Sequence, residues 1–217
     1  MKSKVLIITV FACFSLSCSS IPRSIRNAFT YCYEDRYTGI DKLININGSY
    51  SVHSLIFYDN GLVVSPLYRD AEQLRRNDFS FLQEVVENTE AKYSRYHIYN
   101  FIDCGSYKIC GDTIKIQMIH KSYSMNDTLR GEESWYKIID RNTLFYLGSF
   151  VLTTNQKEIE FQKKYYPFKG GFKVSFVPIP AIPQPDYFWI LKEKWFWCNE
   201  QDWKNYMEKI KQKKKKK

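Results

Sequence analysis

The chain is poor in the residues that catalysis and metal binding usually need. Only three histidines occur, His53, His97 and His120, each in or beside a stretch that reads as strand. None has a second metal-ligand type at a recognised spacing, so each reads as structural or surface. No nucleophile elbow, zinc-protease helix, Walker loop or dinucleotide fingerprint is present. Gly170-Gly171 has no helix after it and is no phosphate cradle. Glu132 and Glu133 are adjacent and would face opposite ways on a strand. Glu158 and Glu160 share a face only within a lysine-rich stretch that reads as a solvated edge. The sequence thus nominates no catalytic residue, no cofactor-binding residue and no metal ligand. The expectation is a chain that is not an enzyme and carries no cofactor.

Two further absences narrow the class. Beyond the N-terminus no segment approaches 18 consecutive apolar residues, so nothing there is expected to cross a membrane as a helix. The formal net charge of +9 is also confined to the ends. Setting aside Lys2, Lys4 and the seven tail lysines (Lys209, Lys211 and Lys213 to Lys217) leaves as many acidic as basic side chains. A nucleic-acid binder spreads its positive charge over a groove-sized face, so no nucleic-acid partner is expected. The lysine tail reads either as a solvated end or as a contact for anionic headgroups.

What is present begins with an address. Lys2 and Lys4 precede a mostly apolar run, Val5 to Leu16, broken only by Thr9 and Ser15. Small residues follow at Ser17, Cys18, Ser19 and Ser20. This is the plan of a secretory signal, and its apolar part is short of the roughly 20 residues that span a bilayer. A cysteine after a small residue at the end of such a run resembles the lipobox of bacterial lipoproteins. Ser17 fits that pattern, whereas Ser15 and Leu16 depart from it. The resemblance implies cleavage before Cys18, acylation of its thiol, and residence in the bacterial cell envelope on a lipid anchor. An ordinary signal cut near Ser20, without lipid, is the alternative.

The expected organisation is a signal at 1–17, a tether and lead-in segment at 18–40, one domain at 41–198, and a C-terminal helix with the lysine tail at 199–217. Cys13 leaves with the signal and Cys18 takes lipid, so Cys32, Cys104, Cys110 and Cys198 remain for an oxidising compartment. Three pairings are open. Cys104 with Cys110 is disfavoured, because the strand between them would hold them about 20 Å apart, against the roughly 6 Å that a disulfide allows. Free thiols are the other outcome.

Within 41–198 the signals are those of strands. Lys42 to Ile46 is short and β-branched, and Ser49 to Tyr58 reads as a strand closed by Asp59-Asn60-Gly61 onto Leu62 to Ser65. Phe79, Leu82, Val85 and Val86 share a helical face within the insertion Pro66 to Lys92, and Tyr96 to Ile102 resumes as strand. Tyr107 and Ile109, then Ile114, Ile116 and Met118, alternate with polar residues across the turn at Gly111-Asp112. Trp135 to Ile139 and Leu144 to Leu152 form a second hairpin, and Phe172, Val174 and Phe176 repeat the alternation. The prolines 178, 180, 183 and 185 read as a stiff connection to a final strand pair, Tyr187 to Ile190 and Trp195 to Cys198. Asn199 then caps a helix whose stripe is Trp203, Met207 and Ile210. The whole is mainly β, an antiparallel barrel or sandwich with a C-terminal helix and a short helical insertion.

The stretch Gly105-x-Tyr107-x-Ile109-x-Gly111-Asp112-Thr113-Ile114-x-Ile116, followed by Glu133-x-Trp135-Tyr136-Lys137-Ile138-Ile139-Asp140-x-Asn142-Thr143, resembles the uncharacterised lipocalin-like lipoproteins of Bacteroidota. The resemblance spans roughly Asp41 to Cys198 and implies a small up-and-down β-barrel. Its motifs pair strands with turns and imply little about activity.

Aromatic residues are the one compositional excess, at 17% of the chain. Tyr50, Tyr107, Trp135 and Tyr136 either line a cavity or fill it. Two functional readings of different class follow. One is a membrane-anchored binding module for an apolar or amphipathic ligand; the other is a ligand-free envelope or assembly lipoprotein that acts through its outer surface. The inward rows named above hold no ionisable group apart from the tyrosine phenol, which favours an uncharged interior. The sequence assigns no ligand-binding residues.

Overall fold

The computed structural model describes residues 21–50, 54–66, 102–121, 129–165, 171–179, 182 and 185–215. Cys18, His53, His97, the expected helix from Phe79 to Val86 and the strand expected from Tyr96 to Phe101 lie outside them.

Alternation and turn chemistry build the sheet. Its strands are β1 (Gly48–Tyr50), β2 (Ile56–Phe57), β3 (Leu62–Pro66), β4 (Ile102–Cys110), β5 (Thr113–Lys121), β6 (Leu129–Asp140), β7 (Thr143–Val151) and β8 (Phe172–Pro178). They are ordered β1-β8-β7-β6-β5-β4-β3-β2, and every pairing is antiparallel. The ends meet where Tyr50 and Leu55 exchange backbone hydrogen bonds of 2.8 and 3.2 Å. The result is a nearly closed up-and-down barrel. Gly61 (φ +90°) and Gly111 (φ +63°) supply the left-handed turn positions that the sequence nominated.

The cleanest alternation lies as expected. Ile114, Ile116 and Met118 point inward with Tyr50, Phe57, Tyr107, Tyr136, Leu144 and Val174. Lys115 points outward, its ammonium 3.9 Å from the centroid of the Trp135 ring. Ile116→Ala should therefore cost roughly 2–5 kcal/mol, whereas Lys115→Ala forfeits a cation–π contact worth at most about 1 kcal/mol at an exposed site. Equal melting shifts in the two variants would mean that the register is wrong.

Four local readings are corrected. Lys42 to Ile46 is not a strand: a 3-10 turn, Ile40–Lys42, puts Ile40 and Ile44 one helical turn apart and plugs one end of the barrel with both. Ser49 to Tyr58 is broken into β1 and β2, with Ser54 at φ +51° between them. Trp135 faces out against Phe150 rather than into the barrel, because it adjoins the inward Tyr136. Phe172, at the end of its strand, is 38% exposed.

The final strand pair is also absent. In its place stand three 3-10 turns, Pro185–Tyr187, Trp189–Lys192 and Lys194–Phe196. Phe188, Trp189, Ile190 and Leu191 are consecutive and all buried, which a strand with one wet face cannot achieve. They form a second core outside the barrel, over Ile56, Leu62, Val64, Ile102 and Cys104. The indoles of Trp197 and Trp203 donate to Leu191 O (2.9 Å) and Lys192 O (3.1 Å) and fix the turns.

Three helices flank the barrel among the described residues: α1 (Arg23–Ala28), α2 (Gln156–Tyr165) and α3 (Glu200–Lys215). In α3 the Asn199 side chain accepts from Gln201 N at 2.7 Å, and Trp203, Met207 and Ile210 lie against the outer core, as expected. Glu158 and Glu160 lie on α2, exposed, rather than on a strand edge. Gln162 of α2 is buried and pairs its amide with Val151 N (2.7 Å) and O (3.1 Å) at the end of β7.

The segment before the barrel is strapped across its wall. Ile21, Ile25 and Tyr33 join the outer core, and Tyr33 bridges to Trp197. The buried Gln117 amide accepts from Thr30 N (2.7 Å) and Tyr31 N (3.0 Å) and donates to Thr30 Oγ1 and Glu133. Cys32 and Cys198 form a disulfide; Cys104, buried, and Cys110, exposed, are free thiols on the same strand.

Candidate functional site

Directly opposite residues in an antiparallel pair share a face, so the register ranks the inward side chains into tiers. Ile114 lies opposite Tyr136, Ile116 opposite Ser134, Met118 opposite Glu132 and His120 opposite Arg130. On the other side of β5, Tyr107 lies opposite Ile116 and Gly105 opposite Met118, so Asp103, two residues before Gly105, falls on the same inward row. On β7, Ser149 lies opposite Ser134.

The barrel thus has two halves of different character. The half plugged by Ile40 and Ile44 is apolar and sealed, with Ile114, Tyr136, Leu144 and Val174 all buried. The other half presents Asp103, His120, Glu132, Ser134 and Ser149. Here the small Ser134 and Ser149, though inward and within long strands, are only half-buried, as is Glu132. Inward side chains of that size stay accessible only if water reaches the space in front of them. The upper half is therefore an open chamber over an apolar base.

Its electrostatics centre on a buried pair. Asp103 Oδ2 lies 2.5 Å from His120 Nδ1, with the two side chains 5% and 29% exposed. Burial alone would depress the imidazole; the hydrogen bond and charge of Asp103, with the charge of Glu132, outweigh it and raise the pKa above its ordinary value. Burial is also the largest cause holding the Tyr136 and Tyr146 phenols above theirs, with Glu132 adding to both. Both phenols are therefore neutral at pH 7 and can serve as donors.

The residue types of an acyl-transfer site are present on the inward rows but not connected as one. Among the described residues His120 hydrogen-bonds Asp103, and Ser134 Oγ donates to Glu132 (3.1 Å) rather than to the imidazole. A nucleophile must hydrogen-bond its base, and this one does not. Among the described residues no three His, Cys, Asp or Glu side chains gather as a metal site.

No family model, curated protein or solved structure matches this chain.

Asp103, His120 and Glu132 correct the expectation of an interior without ionisable groups. The signal was available: the row Ile114, Ile116, Met118 continues at the same period to His120, and Tyr107 runs back through Gly105 to Asp103. All three stand beyond the last apolar residue of their rows. Of the aromatic candidates, Tyr50, Tyr107 and Tyr136 are inward and form part of the sealed core. A second concavity, of about 600 Å³, lies outside the barrel between the strap and β4, lined in part by Tyr33, Arg36, Tyr37, Lys108 and Cys110.

Proposed function

We propose that this chain is an envelope lipoprotein, anchored through an acylated Cys18, whose barrel is a binding module for an amphipathic ligand. The observation that carries the reading is the two-part interior: an accessible polar tier above an apolar base. Ligand pockets are typically apolar with a few placed polar groups, and small barrels hold single ligands in this way. The charged-apolar-small order of residues 2 to 18 supports export. The Cys32–Cys198 disulfide fits an oxidising compartment.

One preparation tests both halves. The full precursor, grown with labelled palmitate, should take up label and partition into detergent, and Cys18→Ser should abolish both. The released mature Cys18→Ser chain should then carry bound mass in native mass spectrometry and bind an uncharged, environment-sensitive alkyl probe saturably. Label retained on the variant overturns the anchor. A bare mass with no saturable binding overturns the module and favours a lipoprotein acting through its outer surface, where the groove between strap and β4 is one concavity.

A further inference from the structure

We propose that the ligand's head is a protonated amine and that Glu132 is its counter-ion. The inference rests on the binding-module reading and names the ligand class that the same chamber would take.

The charges on the inward rows are unevenly matched. The Asp103 carboxylate is engaged by His120, so the imidazolium beside it is already balanced. Arg130, opposite His120, stands exposed at the rim, where water screens it. Glu132 lies one tier deeper. It accepts a hydrogen bond from a neutral hydroxyl, Ser134 Oγ, and no lysine or arginine among the described residues forms an ion pair with it. Glu132 is half-buried, so water reaches it.

Filling the chamber changes that balance. An alkyl tail on the apolar base drives out the water that solvates Glu132. A buried carboxylate without a partner is strongly unfavourable. An anionic head would add repulsion, and an uncharged one would leave the desolvated carboxylate short of a cation. A protonated amine brings the missing charge and donors that Glu132 can accept. An aromatic face is near the same head: the charge of Glu132 reaches the half-buried Tyr146, whose ring lies 5.0 Å from that of Phe172 between centroids, and aromatic faces attract cations.

The test uses the mature Cys18→Ser chain with its disulfide intact and three probes of one tail length: dodecylamine, dodecanol and dodecanoate. Each displaces the uncharged alkyl probe below its micellar concentration. Dodecylamine should bind at least about tenfold more tightly than dodecanoate, a difference of about 1.4 kcal/mol. Glu132→Gln should erase that preference while leaving dodecanol unchanged. Equal or tighter binding of dodecanoate by the wild type overturns the inference and leaves the module standing, with no variant needed. A preference for the amine that survives Glu132→Gln overturns the role of Glu132. If none of the probes binds, the uncharged one included, the chamber reading falls and this inference with it.

Discussion

Replacing Cys32 and Cys198 together by serine is expected to remove a large share of the stability of this protein. The bridge joins residues 166 apart in sequence. For a loop of that length, chain entropy in the unfolded state gives about 5 kcal/mol, and native disulfides in small secreted domains give roughly 2–5 kcal/mol when removed. Domains have only about 5–15 kcal/mol to lose. The loss should also be local. The bridge ties the strap, which holds the N-terminal half of the outer core, to the turns that form its C-terminal half. Without it, amide exchange should rise first at residues 21–35 and 187–198 and least in β4 to β6. Cys110→Ser, at an exposed thiol on the same sheet, should stay within about 0.5 kcal/mol. Equal melting temperatures with and without reductant would show that the outer core holds without the bridge.

Such a protein has a barrel that needs its wrapping. On most β-barrels the outer face is wet, and β6 and β7 largely follow that rule here. On β3 both faces are dry: Leu62, Val63 and Val64 are consecutive and all buried, Val63 into the barrel and its neighbours under the turns at 188–197. The strap is fixed by side-chain hydrogen bonds more than by apolar contacts at its centre, where Gln117 satisfies two backbone N–H groups that no strand reaches. The buried member is Gln117, and its amide left without these partners would cost about 1–3 kcal/mol.

The parts of this fold that were legible in the sequence are those with one wet face and one dry face. Thr113 to Met118 announces its register because the pattern needs only local polarity contrast. The hairpins at Asn60-Gly61 and Gly111-Asp112 announce themselves because positive φ selects glycine. Segments dry on both sides carry no such contrast. Tyr187 to Ile190 reads as a strand by composition, yet the segment folds as 3-10 turns because a second layer, built from residues on both sides of the barrel in sequence, buries Phe188 to Leu191. Lys42 to Ile46 misleads for a related reason. Its isoleucines are β-branched, but the contact that decides their conformation is the open end of a barrel made by residues far away.

The chamber was hidden by a different effect. Apolar periodicity marks an inward row only as far as its last apolar residue, and a polar residue at the same period carries no such mark. Asp103, His120 and Glu132 occupy inward positions because the strands do not stop at the apolar base. A charged side chain at the inward period of an otherwise clean strand is thus a more informative signal than the aromatic content, which here divides among the sealed interior, the outer core and the exposed wall.

Asp103→Ala is expected to destabilise the protein by roughly 3–5 kcal/mol at mildly acid pH, the range for removing one partner of a buried ion pair, and by much less at alkaline pH. The sign follows from His120. In the wild type its folded pKa is raised above the unfolded value of about 6.5. The stability it contributes is therefore fully present below about pH 6.5 and is lost as pH rises through the folded value. Removing Asp103 takes away the hydrogen bond and the nearest opposing charge and leaves burial, which depresses the imidazole. The variant must then either hold an uncompensated cation or release a proton on folding, and its stability should fall as pH drops through about 6.5. The difference between the two proteins, measured by urea unfolding from about pH 5 to about pH 9, should be greatest at the acid end. Toward the alkaline end, with the imidazole neutral in both, it should shrink to the packing and the hydrogen bond, about 1–2 kcal/mol. Carboxylates elsewhere titrate alike in both proteins and cancel in the difference, and Glu132 and Arg130, the other charges facing His120, are common to both. A His120→Gln background should flatten the curve. Parallel pH profiles for wild type and Asp103→Ala, with His120 intact, would mean that this imidazole is neutral in the folded protein and that the pair is held by packing alone.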